Sequence, residues 1–394
     1  MPEAYLIGGA RTPVGRYGGS LAGIRPDDLA ALVVGEALRR ADLPGHAIDE
    51  VILGAANQAG EDNRNVARMS VLLAGLPDDV PGITVNRLCA SGMSAVIMAS
   101  QMIRAGDADV VIAGGVESMT RAPWVQAKPE RAWAKPGEAY DTSIGWRFPN
   151  ARLLARDKAT YSMPETAEEV ARVDGITRDE ADAFALRSHE RAIAAIDGGR
   201  FADEIVAVPT KAGEVSVDEG PRRETTMDAL ARLRPVVAGG SVVTAGNASS
   251  LNDGASAIVV ASETAVARFG LTPRARIVGG TSAGIAPEIM GLGPVPATEK
   301  LLARTGLSID DIGAVELNEA FATQSLGTIR RLGLDESIVN ADGGAIALGH
   351  PLGSSGSRLI VTLLGRMERE QASVGLATMC VGVGQGTAIL LERV

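Results

Sequence analysis

The chain is poor in the residues that build disulfide frameworks, metal centres and basic surfaces. It has two cysteines, Cys89 and Cys380, and three histidines among 394 residues. Two cysteines exclude a disulfide scaffold, and the absence of a ligand pair at metal spacing predicts no metal site. The formal net charge is −10, and no basic stripe interrupts it. A nucleic-acid groove would need such a stripe, so no nucleic-acid partner is expected.

Long apolar runs, targeting signals and aromatic residues are also scarce. The longest apolar runs fall short of the roughly 20 residues of a membrane span, and residues 4–9 indicate a first strand, not a signal peptide. We therefore expect no membrane association and a cytoplasmic location. Aromatic residues make up 3%, whereas glycine contributes 47 residues. Small aliphatic cores with many close backbone approaches are typical of α/β proteins with buried parallel strands.

The same order of patterns occurs twice along the chain. An amphipathic helix at 29–41 leads through Ile-Asp-Glu into an apolar strand at 50–54, and residues 296–320 repeat this order through Ile-Asp-Asp. A Val-Asn step, a Ser-Gly step, a helix and a strand then follow at 85–115 and again at 339–380. All α/β chains share some of this order. The agreement in detail nevertheless favours a duplication that gives two similar α/β halves.

A segment of different composition separates the two halves. Residues 119–245 are rich in charge, contain proline and tryptophan, and show helical patterns at 164–174 and 177–197, the second opening with a capping box. Long insertions in α/β enzymes often carry substrate contacts. The predicted units are an N-terminal half at 1–118 completed by about 246–272, an inserted loop subdomain at 119–245, and a C-terminal half at 273–394.

Both cysteines lie at positions where chemistry is possible. Cys89 directly precedes a predicted helix, and the positive end of a helix dipole lowers the pKa of a thiol. The alternative for Cys89 is a buried structural cysteine, since free cysteines are often buried. Cys380 and Asn318 each follow a predicted strand, and ligands bind at the carboxyl ends of strands in α/β folds.

One histidine has the surroundings of a catalytic base. His350 lies in the glycine-rich run 343–353, whose backbone amides can approach a ligand closely. His46 and His189 lie in a polar turn and a charged helix, so we predict both at the surface. The glycine-rich runs match neither the dinucleotide-binding pattern nor the phosphate-loop pattern.

Six segments in order resemble the thiolase family over essentially the whole chain. They are 86–93 (NRLCASGM), 113–119 (AGGVESM), 244–254 (TAGNASSLNDG), 318–321 (NEAF), 343–353 (GGAIALGHPLG) and 380–386 (CVGVGQG). Within the family, residues 56–69, 144–148 and 162–167 look most like the β-ketoadipyl-CoA thiolases. Biosynthetic acetoacetyl-CoA thiolases usually have histidine at Ser162 and a third glycine at Val383, which favours a degradative role here. Ser250 departs from both patterns, where glycine is usual.

The resemblance implies a fold and a mechanism. The fold is a layered αβαβα arrangement of two duplicated α/β halves with an inserted loop subdomain. The implied enzyme is an acyltransferase with Cys89 as the nucleophile that becomes acylated and Cys380 as the acid and base at carbon. His350 would activate Cys89 and, with a water held by Asn318, form one oxyanion hole. The amides of Cys89 and Gly382 would form the other.

The resemblance also implies binding residues and partners. Coenzyme A is expected as a substrate, with no metal and no permanently bound cofactor, and the family forms homodimers or homotetramers. The positions that match coenzyme A or acyl contacts of the family are Arg222 at the nucleotide end, Ser249, Ala320 and Phe321 along the pantetheine, and Met290 at the acyl pocket.

Several functions stay open from the sequence. A 3-oxoadipyl-CoA thiolase is preferred, and Arg64, Arg68 and Arg147 are candidates for holding the terminal carboxylate of its substrate. The alternatives within the family are an acetoacetyl-CoA thiolase (an acetyl-CoA acetyltransferase) and a general 3-ketoacyl-CoA thiolase. Outside it stand a decarboxylating 3-oxoacyl synthase, which would not need Cys380, and a non-catalytic acyl-CoA-binding protein.

Overall fold

The computed structural model describes residues 2–394, which contain fourteen strands and twelve α-helices. The strands are β1 Ala4–Arg11, β2 Gly15–Arg16, β3 Glu50–Gly54, β4 Gly82–Val85, β5 Val110–Ser118, β6 Trp124–Gln126, β7 Ala139–Asp141, β8 Val208–Thr210, β9 Gly213–Val215, β10 Asn252–Ser262, β11 Ala275–Gly284, β12 Ala314–Leu317, β13 Val374–Val381 and β14 Gln385–Arg393. The helices are α1 Pro26–Arg40, α2 Val66–Leu73, α3 Ser91–Ala105, α4 Ala151–Leu154, α5 Met163–Asp174, α6 Arg178–Asp197, α7 Met227–Ala231, α8 Glu263–Phe269, α9 Pro294–Thr305, α10 Ala322–Leu332, α11 Ala345–Leu348 and α12 Leu352–Glu370. Short 3-10 helices span Gly45–Ala47, Pro287–Leu292 and Ile309–Asp311.

The main strands form one continuous mixed sheet of ten strands, in which a short antiparallel contact between β1 and β11 joins two parts of the same design. We call these parts the first and the second sheet: the first has the order β1-β10-β5-β3-β4, with β2 on β10, and the second has the order β11-β14-β13-β12. In each sheet the innermost contacts are antiparallel and the outer ones, β5-β3-β4 and β13-β12, are parallel. Where the first sheet has β4, the second has a single parallel bridge from Val315 to Val339. The predicted duplication is therefore present, and its Val-Asn steps occupy equivalent places.

Alternating side chains divide the apolar residues into three cores, which produce the five layers. On β10, Ala257 and Val259 face α1 and α2, whereas Ile258 and Val260 face the central helices α3 and α12. On β14, Ile389 faces the same central helices, and the residues that alternate with it face α9 and α10. The predicted αβαβα arrangement is confirmed, with one central helix supplied by each half.

The segment between β5 and β10 holds two small hairpins, β6-β7 and β8-β9, and the helices α4 to α7. Helices α5 and α6 pack with α10 in the outer core of the second half. After this segment the chain returns to the first sheet, because β10 pairs with both β1 and β5. Helices α5 and α6 thus lie beside the second half, whereas the hairpin β8-β9 packs against the outer core of the first half through Val208.

One helix begins earlier in the structure than the sequence pattern predicts. The Ser-Gly step at 355–356 predicts a helix from Ser357, but α12 begins at Leu352, because Pro351 supplies an extended N-cap and the small residues after it pack into the interior. One stretch, Leu88–Ala105, is long and apolar enough to cross a membrane by length and composition alone. It contains α3, the central helix of the first half, and most of it is buried inside the protein, as is usual for a core helix.

The two central helices approach so closely that only glycine fits between them. A Cβ on Gly356 of α12 would lie 2.3 Å from the Met93 amide nitrogen of α3, and one on Gly92 would lie 2.7 Å from the Gly353 carbonyl oxygen. Backbone atoms in these positions cannot move aside without shifting a whole helix. The loops that precede α3 and α12 are therefore held next to each other.

We predict that Gly356→Ala destabilises the protein by about 1–3 kcal/mol, as overpacking of a dense core does. Gly365→Ala, in the same helix, is the matched control: its Cβ would meet only the end of the flexible Arg369 side chain, at 3.0 Å. That variant should be neutral or more stable by up to about 1 kcal/mol, since alanine is the better helix former. Thermal melting of both variants checks this, and equal melting temperatures would contradict the glycine contact.

Candidate active site

Cys89 lies on a short loop between β4 and α3 that is fixed by its own side chains. The Asn86 side chain accepts a hydrogen bond from the Leu88 amide (2.8 Å) and donates one to the Ala56 carbonyl (2.9 Å). Ser91 accepts from the Arg87 amide and donates to the Leu88 carbonyl. Leu88 itself has a positive φ of 47°, which is uncommon for a branched side chain. The half-buried thiol is thus presented by a rigid turn.

The surroundings of Cys89 do not lower the pKa of its thiol overall. Burial raises this pKa, and the amides of Gly382 and of Cys89 itself, which point at the sulfur, oppose the effect only in part. The negative charge of Glu117 raises the pKa further. The expectation that the helix dipole leaves Cys89 with a depressed pKa is therefore wrong for the unliganded protein, because desolvation outweighs the local dipoles.

His350 is buried and held in one orientation. Its Nδ1 lies 2.6 Å from the Ser355 hydroxyl, and that hydroxyl donates its single proton to the Pro351 carbonyl at 2.8 Å. Nδ1 must therefore carry the proton in this bond, which leaves Nε2 as an acceptor. Burial, with the nearby positive charge of Arg358, lowers the pKa of His350 to about 3. A neutral imidazole with an unprotonated Nε2 has the form required of a general base.

Asn318 lies beside this lone pair. Its side-chain nitrogen is 3.3 Å from His350 Nε2, and its backbone amide is fixed by the Thr378 carbonyl. The residue is fully buried, and its Oδ1 has no hydrogen-bond partner in the part of the chain that the structure describes. A buried amide oxygen without a partner can accept a hydrogen bond from a ligand. His350 Nε2 and the side-chain amide of Asn318 thus lie side by side, where both can bind one polar ligand group.

Cys380 lies near the end of β13 in an apolar pocket. The residues packed around it in one cluster are Ala167, Val243, Met290, Ala320 and Phe321, with Met163 and Ala248 at its margin. Burial raises the pKa of the Cys380 thiol, and so does the proximity of Cys89. Two protonated thiols therefore share this region. Met290, Ala320 and Phe321, three of the predicted binding residues, thus pack in the same cluster as the second thiol.

The turn after Cys380 places Gly382 over Cys89. Residues Val383 and Gly384 have φ of 64° and 79°, so the chain reverses in the left-handed region between β13 and β14. A β-branched side chain is strained there, at a cost of order 1–3 kcal/mol. Gly382 directs its amide at Cys89, and a Cβ on it would lie 3.1 Å from the Leu88 side chain. The strained turn is thus in contact with the loop that carries Cys89.

A cleft of about 290 Å³ is lined by Arg222 and by Ala248, which lies at the margin of the Cys380 cluster. His189 also lines the cleft and is buried, and its Nδ1 accepts a hydrogen bond from the Arg222 amide at 3.2 Å. The prediction that His189 is a surface residue is therefore wrong; burial and the charges of Arg222 and Arg16 lower its pKa to about 4.

Ser249 and Ser250 connect the cleft to the inner pocket. The Ser249 amide donates to the Ala320 carbonyl at 3.0 Å. Ser250 lines the cleft and donates its hydroxyl to the Asn252 side chain at 2.9 Å. Ser250 has no positive φ, so its backbone conformation accommodates serine at the position where the family resemblance implies glycine. The Asn252 oxygen also accepts from the His350 amide, which couples the cleft to the histidine loop.

A half-buried thiol faced by backbone amides, a second thiol, and a neutral histidine beside a buried amide define a two-thiol acyltransferase site at the junction of two duplicated halves. The chain belongs to the thiolase family: the model "Thiolase, N-terminal domain" matches residues 4–264, and "Thiolase, C-terminal domain" matches 271–393. Members of this family are acyltransferases that use coenzyme A as a substrate and need no permanently bound cofactor.

Known relatives extend over the whole chain. The chain is 54% identical over 402 residues to the beta-ketoadipyl-CoA thiolase of Escherichia coli, with complete coverage of both. Among solved structures, the Bacillus anthracis acetyl-CoA acetyltransferase superposes with a TM-score of 0.93 at 40% identity, covering 100% of this chain and 99% of that one. The human mitochondrial 3-ketoacyl-CoA thiolase in complex with CoA gives 0.93 at 38% identity, covering 100% and 98%.

Two further residues of the site were not predicted from the sequence. Ser355 fixes the ring of His350, and Glu117 places a buried charge near Cys89. Ser355 follows the histidine by five residues at the start of a helix, a spacing that could have suggested a contact. Glu117 is a lone acidic residue at the end of an otherwise apolar strand, and that contrast was visible. The roles assigned to the other site residues stay predictions.

We predict that Ser355→Ala lowers kcat by about 10- to 100-fold, because His350 loses the partner that fixes its tautomer and ring orientation. Ser354→Ala is the matched control, since that neighbouring hydroxyl contacts Ser256 and not the histidine. Steady-state rates and melting temperatures of both variants give the test. A normal kcat in Ser355→Ala would remove the tautomer argument.

Proposed function

We propose that the chain cleaves 3-oxoadipyl-CoA with coenzyme A into succinyl-CoA and acetyl-CoA through an acyl-Cys89 intermediate. The observation that carries the reaction type is the pair of neighbouring thiols, Cys89 and Cys380, in a structure that also holds a buried neutral histidine, His350. The substrate follows from the E. coli relative that is named a beta-ketoadipyl-CoA thiolase. A thiolase acting on acetoacetyl-CoA or on general 3-ketoacyl-CoA is the second candidate, since structures with those names share the fold.

The first step joins the Cys89 sulfur to the 3-oxo carbon of the substrate. His350 Nε2 accepts the thiol proton, and the thiolate attacks. Charge then develops on the former carbonyl oxygen, where the amides of Cys89 and Gly382 can donate to it. Such donors typically contribute about 3 kcal/mol each. The thiolate need not exist beforehand, because the imidazolium and the thiolate form together as the substrate excludes water.

The second step breaks the bond between C2 and C3. The electron pair passes to C2, and the resulting enolate oxygen of acetyl-CoA accepts hydrogen bonds from protonated His350 Nε2 and from a water held by Asn318. Cys380 gives its proton to C2, which releases acetyl-CoA and leaves acyl-Cys89. Burial raises the pKa of Cys380, so the thiol retains its proton until this step.

Coenzyme A completes the cycle. Its thiol returns a proton to Cys380, and its sulfur attacks the acyl-Cys89 thioester. The Cys89 thiolate leaves and recovers the proton from His350. We place the nucleotide end of coenzyme A against Arg222 in the cleft. The pantetheine would follow Ser249, Ala320 and Phe321 inward, with the acyl group near Met290.

The inserted segment and the surface support an assembly of several copies. We propose the division into 1–118 with 246–272, 119–245, and 273–394, with the insertion carrying coenzyme A contacts. We also propose a homodimer or homotetramer: the edge strand β4 exposes Ile83, and the insertion exposes Trp133. An unpaired edge strand with an exposed apolar side chain favours association. A cytoplasmic location stays a prediction.

Acetyl-CoA alone should leave an acetyl group on Cys89, seen as a gain in mass, and Cys89→Ala should abolish the gain. Cys380→Ser should still be acetylated, because acyl transfer needs no proton at carbon. It should lose both cleavage and the exchange of C2 protons of acetyl-CoA with deuterated water. Labelling that persists in Cys89→Ala would refute the nucleophile, and native exchange in Cys380→Ser would refute the acid–base role.

The substrate proposal predicts a higher kcat/KM with 3-oxoadipyl-CoA than with acetoacetyl-CoA. Its terminal carboxylate needs a cationic partner if it leaves water. Arg68 donates to the Val80 and Asp78 carbonyls, which leaves it committed to its own loop. Arg147 is half-buried and has no hydrogen bond or ion pair among the described residues, so it is the favoured partner; Arg64 is exposed.

Arg147→Gln should lower kcat/KM for 3-oxoadipyl-CoA at least tenfold more than for acetoacetyl-CoA, since loss of a buried charge partner typically costs about 2–5 kcal/mol. Arg68→Gln serves as the comparison and should affect both substrates alike. Equal losses in Arg147→Gln would reject that residue. A wild-type preference for acetoacetyl-CoA would reject the substrate and leave the thiolase reaction intact.

A further inference from the structure

We propose that Glu117 is a positioning residue that fixes two loops relative to each other through backbone hydrogen bonds. They are the loop that carries Cys89 (residues 86–90, the nucleophile loop) and the loop that carries His350 (residues 349–351, the histidine loop). The proposal rests on the roles proposed above for Cys89 and His350. It assigns Glu117 no contact with substrate. The proposal explains why the one acidic residue of β5 lies near the end of that strand, where segments from both halves of the protein meet.

Glu117 is buried and binds backbone amides from two separate segments. Its Oε1 accepts from the Asn57 amide at 3.0 Å, and its Oε2 accepts from the amides of Ala56 (2.9 Å) and Gly353 (2.8 Å). No lysine or arginine among the described residues forms an ion pair with it. Three N–H donors converging on two oxygens require the lone pairs of a carboxylate, which an amide side chain cannot supply.

One side of Glu117 leads to Cys89. Ala56, fixed by its amide, accepts the Asn86 side chain through its carbonyl at 2.9 Å. Asn86 in turn accepts the amide of Leu88, the residue with positive φ that precedes Cys89. The strained conformation of Leu88 persists only if its surroundings hold it. Three successive hydrogen bonds thus connect Glu117 to the nucleophile turn.

The other side leads to His350. Gly353 follows the histidine by three residues, and its carbonyl is enclosed: Cβ atoms on Gly115 and Gly92 would lie 2.0 and 2.7 Å from it. Glu117 accepts the amide of this same residue. The peptide that begins α12 is therefore fixed to β5 on one side and to α3 on the other. A shift of the Glu117 carboxylate would move the loops of both reactive groups.

The negative charge of Glu117 disfavours ionisation of Cys89, although its hydrogen bonds hold the Cys89 loop in place. Burial, with a contribution from Asp62, raises the pKa of Glu117 to about 7, while the three amides lower it. The same charge raises the pKa of the Cys89 thiol. Removal of the charge should therefore make Cys89 easier to ionise while it loosens the site. A residue that only supported the fold would show neither effect without a loss of stability.

The experiment compares Glu117→Gln with Asn86→Ala and with the double variant. Asp49→Asn is the matched control. The Asp49 carboxylate also accepts hydrogen bonds from two backbone amides, those of Val110, the first residue of β5, and of Asp109 just before it. These amides lie at the opposite end of the strand from Glu117. That end lies roughly 23 Å away at 3.3 Å per residue. The measurements are kcat, KM, melting temperature, and the pH dependence of alkylation of Cys89 by iodoacetamide.

In Glu117→Gln we expect kcat to fall about 100-fold, the effect of a displacement near 1 Å, with KM changed less than about threefold. The midpoint of alkylation should move to lower pH, because the negative charge has gone. Asn86→Ala should lower kcat without moving that midpoint. The double variant should lose less than the product of the two single losses, since both break one chain of hydrogen bonds.

A folded Glu117→Gln with normal kcat, or with an unchanged or higher alkylation midpoint, would overturn the proposal. So would multiplicative losses in the double variant. If Glu117→Gln does not fold, Asn86→Ala decides, because Asn86 is exposed and its loss should leave the melting temperature intact; a normal kcat there overturns the proposal. The alkylation shift does not require Cys89 to be the nucleophile, so failure of the proposed function would be recognised separately by Cys89→Ala.

Discussion

The structure depends on a contact between two helices that have almost no side chains where they meet. Gly92 of α3 and Gly353 and Gly356 of α12 leave room for backbone against backbone, so the first turns of the two central helices touch. The nucleophile loop precedes one of these helices, and the histidine loop precedes the other. Because each helix comes from a different half of the duplicated fold, neither half alone contains the reactive set.

Burial keeps each reactive group of this site neutral. It raises the pKa of both thiols and lowers that of His350 to about 3. In the proposed mechanism a charged pair therefore forms in one step, with the proton passing from the Cys89 sulfur to the His350 nitrogen as the substrate binds. A resting enzyme without a free thiolate is protected from oxidants and from unwanted acyl donors, because the thiolate is the nucleophile. The oriented amides at Cys89 then act only when negative charge appears.

The sequence predicted the elements well and their environments less well. Cys89, Cys380 and Asn318 were placed correctly at element ends, because hydrophobic periodicity and turn residues are local signals. The direction of the pKa shift of Cys89 was wrong, since the helix dipole is visible in the sequence and desolvation is not. The prediction for His189 was wrong for the same reason. Its charged helix indicated a solvent-exposed side chain, but the tertiary fold buries it.

The duplication explains how equivalent positions in the two halves came to carry side chains with different chemistry. Each half offers two positions at the junction, the loop before its central helix and the end of the strand that follows. In the first half these positions hold Cys89 and Glu117; in the second they hold His350 and Cys380. Near the end of β5 the chain thus carries a carboxylate that accepts hydrogen bonds from backbone amides. Near the end of β13, the equivalent strand, it carries a thiol in an apolar pocket. Because the two helices meet through glycine, the four positions converge whatever side chains they carry. Divergence at them could change the reaction without disturbing the core.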